Sequence, residues 1–184
     1  MKVLFVCTGN ICRSPMAEHL LRAALVGRGV HDVEVSSAGT RGLVGHPIEP
    51  NAAAAIGHLD TSAFSARRLQ PELVSDADLV LGAAREHRSA AVTMVPRAMS
   101  YAFTIRELDR LLAAVDPSEL MDRRTSVVKA VAAQRGLVPT VPPEEDDISD
   151  PYGGPAAGYP PNARLIEASL TRLVEMLAGP GTVG

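Results

Sequence analysis

Apolar positions along this chain follow two rhythms. Short β-branched and aromatic runs, at Lys2 to Val6, Val33 to Ser37, Ala77 to Leu81 and Tyr101 to Thr104, read as four strands. Between them, apolar residues recur at three- and four-residue spacing. That spacing predicts helices from Pro15 to about Gly27 and at Asn51 to Gly57, Arg85 to Met94, Ile105 to Val115, Ser118 to Arg135 and Asn162 to Leu177. Met16, Leu20, Leu21 and Ala24 form the inward stripe of the first helix, Ser14 is placed to cap it, and Gly27 and Gly29 end it. Alternating strand and helix predicts an α/β class. The expected architecture is a Rossmann-like three-layer sandwich around a central four-stranded parallel sheet, with active-site residues at the carboxyl ends of the strands.

Two stretches stand apart. Ile105, Leu108, Leu111, Leu112 and Val115 repeat at helical spacing, and Asp116-Pro117-Ser118-Glu119 reads as an N-cap, a first-turn proline and a capping box. This predicts an extra helical hairpin near 104–136 that covers one end of the sheet or offers a docking or dimerisation surface. Gly136 to Gly154 is rich in proline and glycine and carries Glu144-Glu145-Asp146-Asp147. It reads as a mobile surface loop with a solvated acidic run.

Composition narrows the class. A chain of 184 residues with 46% hydrophobic and 21% charged residues suits a single domain over 1–184, with 104–146 as an insertion. A net charge of −3 gives no electrostatic reason to expect nucleic acid. No stretch reaches the ~20 apolar residues of a membrane span. The first apolar run is too short for a signal sequence and leads directly into a turn, so the expected location is cytoplasmic. The only cysteines, Cys7 and Cys12, are too close together to staple distant segments, and without histidines they do not make a zinc site.

Both cysteines lie in the candidate chemistry, Cys7-Thr8-Gly9-Asn10-Ile11-Cys12-Arg13-Ser14-Pro15, a turn between the first strand and the first helix. Gly9 and Asn10 accept left-handed backbone angles, which lets successive N–H groups converge on an anion at the positive end of the helix dipole. The same field favours the thiolate of Cys7. Arg13 offers a planar fork for two phosphate oxygens. Ser14 can donate to the sulfur.

The run Val6 to Glu18 resembles the signature of the low-molecular-weight protein tyrosine phosphatases. Ser36-Ser37-Ala38-Gly39-Thr40 is similar to that family's second-strand motif, Asp76 to Leu81 to its third strand, and Asp150-Pro151-Tyr152 to its general-acid loop. The resemblance covers roughly residues 1–103 and 147–178. It implies that Cys7 is the nucleophile and forms a phosphocysteine, that Asp150 is general acid and then general base, and that Arg13 binds phosphate. The backbone of Thr8, Gly9, Asn10, Ile11, Cys12 and Arg13 would hold the phosphate oxygens. Ser14 and Ser37 would support the loop, Leu43 and Tyr152 would line the substrate pocket, and neither metal nor cofactor is called for. If the acidic run lies near Asp150, its charge would favour the protonated acid.

Departures from the family pattern bear on substrate. Leu43 stands where many members carry an aromatic residue, Tyr152 is followed by Gly153 instead of a second aromatic, and Phe64 replaces a histidine that helps brace the phosphate loop. That brace is expected to be weaker or differently built. Ile11 takes a position where relatives acting on phosphoarginine carry threonine, and its apolar surface suits a tyrosine ring. The implied partner is a tyrosine-phosphorylated protein, with a bacterial tyrosine kinase among the candidates, and the expected assembly is a monomer or weak dimer. Three alternatives stay open: a phosphoarginine phosphatase, a thiol-dependent arsenate reductase using an external thiol, and a phosphate-binding module without turnover. Typical arsenate reductases relay a disulfide through further cysteines, and this chain has none downstream.

Overall fold

The computed structural model describes residues 1–120 and 123–179. Four strands, β1 (Lys2–Cys7), β2 (Glu34–Gly39), β3 (Leu79–Gly82) and β4 (Ala102–Thr104), form an all-parallel sheet in the order β2-β1-β3-β4. The central strand β1 is buried on both faces, as its nearly continuous apolar sequence requires. Side chains alternate across it. Val3 and Phe5 join the core beneath α1 (Arg13–Gly27) and α8 (Tyr159–Ala178), while Leu4 and Val6 join the core beneath α3 (Pro71–Asp76) and α4 (Arg85–Met94). The α/β three-layer architecture read from the sequence is therefore the one observed.

The elements differ from expectation where short or polar segments leave little periodicity. The helix α3 carries only Leu73 and Val74 as apolar residues and was not predicted; Pro71 starts it. The helix α2 spans Pro50–Ala55, with the Glu49 side chain accepting from the Ala52 N–H at its start. The helix α8 begins at Tyr159, ahead of the predicted Asn162, because Pro160 and Pro161 fall in its first turn, where proline costs no hydrogen bond.

The insertion folds as helices, with its caps redistributed. A capping box does form, but at Thr104 and Glu107, where it starts α5 (Ile105–Leu112). The cap expected of Asp116 closes a separate 3-10 turn, Pro117–Glu119, by accepting from the Ser118 N–H. Of the helix predicted over 118–135, α6 (Arg123–Ala133) is present, and residues 121–122 lie outside the described residues. Both α5 and α6 pack against α8. Just past α6, Arg135 places its guanidinium 3.9 Å from the Phe103 ring centroid and donates to the carbonyls of Met99 and Ala102. The hairpin thus covers the β4 end of the sheet. Residues 136–154, expected as a mobile loop, contain a short helix α7 (Pro143–Asp146). Among the described residues no helix is long and apolar enough to cross a membrane.

The register Cys7 opposite Gly39 brings the ends of β1 and β2 into contact. A Cβ on Gly39 would lie 2.5 Å from the Thr8 carbonyl oxygen, 2.8 Å from Gly42 Cα and 2.9 Å from the Asn10 nitrogen, all main-chain atoms that cannot rotate away. Gly39→Ala is expected to lower the free energy of unfolding by about 3 kcal/mol, measured by urea denaturation, because the turn after β1 must shift to admit one methyl.

Candidate active site

Strand β1 delivers Cys7 at its carboxyl end, and α1 begins only six residues later, at Arg13. Asn10, with φ of 55°, is the one non-glycine residue with positive φ among the described residues. Gly9, expected to share that conformation, does not. It serves by close approach, since a Cβ there would sit 3.3 Å from Ile11 Cγ1. Ser14 is not the N-cap. The cap position is Cys12, without a side-chain bond, and Ser14 lies inside α1 with its hydroxyl engaged elsewhere.

That hydroxyl lies 3.0 Å from Cys7 Sγ. The neighbours of that bond leave the Ser14 proton free for it. Asn10 Oδ1 accepts the Arg67 backbone N–H at 2.8 Å, which fixes the amide orientation. Asn10 Nδ2 then donates to Ser14 Oγ at 2.9 Å and to Ser37 Oγ at 2.8 Å. Ser37 in turn donates to Glu18 Oε2 at 2.6 Å, and Arg22 pairs with the other Glu18 oxygen. A carboxylate only accepts, so Ser37 gives its proton to Glu18; Ser14 accepts from Asn10 and keeps its proton free for the sulfur, the direction the bond must take when Cys7 is a thiolate. The brace is thus differently built, as expected. Glu18 receives the Ser37 proton directly, and Phe64 packs edge-on against His19 at 5.8 Å between ring centroids.

The guanidinium of Arg13 is buried beside the sulfur, only 4% exposed. Its Nη1 donates to the Ile148 carbonyl at 3.0 Å and its Nη2 to Asp150 Oδ2 at 2.6 Å, while its Nε has no protein partner. Asp150, 46% exposed at the side chain, is therefore carried into the site and paired with the arginine. The acidic run upstream is not solvated as a whole. Asp146 is buried and ion-paired to Arg85 and Arg110, because the fold lays two arginines over it.

A cleft of about 200 Å³ opens over these groups, lined by Cys7, Arg13 and Asp150 below and by Ile11, Leu43 and Tyr152 at its walls. Sequence reasoning placed all six. It missed Arg41, a cation at the same cleft with no conspicuous spacing in the chain. It also missed His87, fully buried on α4, whose Nε2 lies 3.0 Å from Thr8 Oγ1. Burial, and then the charge of Arg13, holds His87 down to about 4, so the ring is neutral at pH 7. Cys12, whose side chain is buried, has its thiol pushed up to about 12 by burial and by Cys7, so it stays protonated. Among the described residues no group of three or more His, Cys, Asp or Glu could hold a metal ion.

With the geometry in hand, known proteins can be set beside it. The model of the family described as low molecular weight phosphotyrosine protein phosphatase matches residues 2–122, running past the residue-103 limit of the motif resemblance. The low molecular weight protein-tyrosine-phosphatase Etp of Escherichia coli K12 is 42% identical over 96 residues, covering 51% of this chain; the chain spans only 62% of Etp. A low molecular weight protein-tyrosine-phosphatase of Streptomyces coelicolor is 34% identical over 176 residues, 94% of this chain and 91% of that protein. A protein-arginine-phosphatase of Bacillus subtilis is 36% identical over 109 residues, 58% of this chain and 71% of that one. Among solved structures, the low molecular weight protein tyrosine phosphatase from T. tengcongensis superposes with a TM-score of 0.71 at 30% identity, covering 95% of this chain and 97% of its own.

The buried neutral imidazole carries a pH signature. Its folded value lies below the ordinary 6.5, so as pH falls below 6.5 the unfolded chain takes up a proton that the folded one refuses. The stability held above pH 6.5 is expected to fall by about 3 kcal/mol as pH approaches 4. Urea unfolding at a series of pH values checks this: His87→Asn should remove that increment from the pH dependence.

Proposed function

The chain belongs to the low molecular weight phosphotyrosine protein phosphatase family, and from that premise we propose that it hydrolyses phosphotyrosine in proteins through a phosphocysteine on Cys7. The observation that carries this reading is one cleft holding a sulfur, a buried guanidinium and a carboxylic acid under apolar walls. A binding module has no use for a nucleophile and an acid together.

The chemistry proceeds by double displacement. A phosphoryl dianion enters over the turn, meets the N-terminal end of α1, and takes Arg13 Nη2 from the Asp150 carboxylate. Freed from its cation, the Asp150 carboxyl is available to the leaving-group oxygen, and its protonated form is the one the first step needs. Cys7 Sγ attacks in line, the S–P bond forms as the P–O bond breaks, and Asp150 delivers its proton to the phenolic oxygen. Water then attacks phosphorus, gives its proton to Asp150, and cleaves the S–P bond. The Ser14 hydroxyl supports the sulfur as attacking and as leaving anion.

Tyrosine is favoured over arginine by the walls. Ile11, Leu43 and Tyr152 offer apolar surface to a ring, and Arg41 stands at the same cleft, where it repels a cationic guanidinium. The likeness to an arginine phosphatase supports phosphoarginine as the second reading. The arsenate-reductase alternative lacks its relay cysteines, since Cys7 and Cys12 are the only two in the chain. We place the activity in the cytoplasm, where free thiols persist, acting on a tyrosine-phosphorylated protein such as a bacterial tyrosine kinase.

Paired peptides differing only in phosphotyrosine or phosphoarginine test the assignment. A preference of about 100-fold or more in kcat/KM for phosphotyrosine is expected, and the reverse preference would replace the first reading with the second. Cys7→Ser should lose turnover on both by about 10⁴-fold or more. Asp150→Asn should slow phenyl phosphate by about 10²-fold while leaving dinitrophenyl phosphate, whose leaving group needs no proton, within a few-fold.

A further inference from the structure

Residues 136–148 bring the chain back from the insertion to the site, and three arginines hold that return. Arg110 of α5 donates through Nη1 to the Pro139 carbonyl at 2.9 Å and through Nη2 to the two Asp146 oxygens at 3.2 and 3.3 Å. Arg106, one turn earlier, donates to the carbonyls of Glu144 at 2.8 Å and Asp147 at 3.3 Å. Arg85, the first residue of α4, donates to Asp146 Oδ2 at 2.8 Å and to the Val141 carbonyl at 2.6 Å, while its backbone N–H bonds Asp147 Oδ1 at 2.7 Å. The next residue, Ile148, donates its N–H to the Ala83 carbonyl at the end of β3, and its own carbonyl accepts from Arg13.

Asp146 is 5% exposed. Burying a carboxylate against two guanidinium groups carries a desolvation penalty that a surface loop does not need to incur, and what it secures is a fixed register. The register matters because Asp150 lies four residues further on. In the free protein the Asp150 carboxylate pairs with Arg13 through Oδ2 and accepts the Tyr152 backbone N–H on Oδ1, and the substrate phosphoryl group competes for the arginine. Once Arg13 is taken, the acid keeps the Tyr152 N–H on Oδ1 at 3.3 Å, and its backbone is held on one side by Asn162, whose Nδ2 donates to the Ser149 carbonyl at 3.0 Å, and further back through Ile148 by the clamp on Asp146.

We infer that Asp146, clamped between Arg85 and Arg110, is a positioning residue for the general acid, and that the 104–146 insertion serves the active site through Arg106 and Arg110 of α5. The inference rests on the reading of Asp150 as the acid. A loosened clamp misplaces the proton donor but leaves Cys7 and the phosphate loop as they were. Loss therefore falls on reactions that need the proton and spares those that do not.

The full-length protein with Arg110→Met or Asp146→Asn is assayed for kcat/KM on phenyl phosphate and on dinitrophenyl phosphate, with Asp150→Asn alongside. Each clamp variant is expected to lose about tenfold on phenyl phosphate and less than about twofold on dinitrophenyl phosphate. Arg110→Lys, which keeps the charge, should recover most of the loss. Adding Arg110→Met to Asp150→Asn should cost nothing further on phenyl phosphate, since the donor it positions is already gone. Equal losses on both substrates, or none on either, overturn the inference while the Asp150 variant still depends on the leaving group. If Asp150→Asn itself ignores the leaving group, the acid reading falls and takes the clamp's role with it. Should Asp146→Asn fold poorly, Arg110→Met and Arg110→Lys decide the matter, because Arg110 sits at the margin with 26% of its side chain exposed.

Discussion

The side-chain amide of Asn10 has one orientation open to it. Its oxygen is taken by a backbone N–H from Arg67, so both of its own N–H bonds must be given away, one to Ser14 and one to Ser37. Each serine accepts through its oxygen and keeps its proton to give. One of those protons goes to Glu18 and the other to the sulfur. The left-handed backbone at the same residue bends the loop so that β1 can pass into α1 within six residues. A single side chain therefore sets the curvature of the anion loop and the polarity of the bonds beneath it.

Arg13 links that loop to the far end of the chain. It is bonded to the carbonyl of Ile148 and to the carboxylate of Asp150, more than 130 residues away in sequence. The fold makes this possible because β3 ends beside β1, and the segment carrying Asp150 docks on Ala83 just past β3. In the proposed reaction, phosphate binding and proton donation share one guanidinium. Occupancy of the first releases the second, which ties the order of events to the geometry of a single ion pair.

The turn after β1 was legible in the sequence because its determinants are local: a β-branched run, a residue tolerant of positive φ, and a helix start. The cap assignment for Ser14 failed for a physical reason. Capping propensity describes a hydroxyl with no better partner, and here Cys7 and Asn10 provide two. Glu18, Arg41 and His87 act on the loop only through tertiary contacts, and nothing in their own neighbourhoods marks them. Glu18 is the exception in part, since it stands inside the quoted motif, yet only the replacement of a histidine by Phe64 signalled that the brace needed another anchor. The acidic run was misread because solvated and clamped carboxylates look alike in sequence. What separates them is the arginines of α4 and α5, which lie 61 and 36 residues upstream of Asp146.

Arg135 has a consequence beyond covering the sheet. The last strand of a parallel sheet presents carbonyls that an unrelated extended peptide can adopt as a ladder, which is how stray pairing and fibril growth begin. On β4 the carbonyl of Ala102 is already occupied by Arg135 and Arg88, and Arg135 also takes the Met99 carbonyl in the 3-10 turn just before the strand, so two positive charges stand beside this edge. The β4 edge is thereby closed to a stray strand by side-chain donors as well as by the hairpin laid over it.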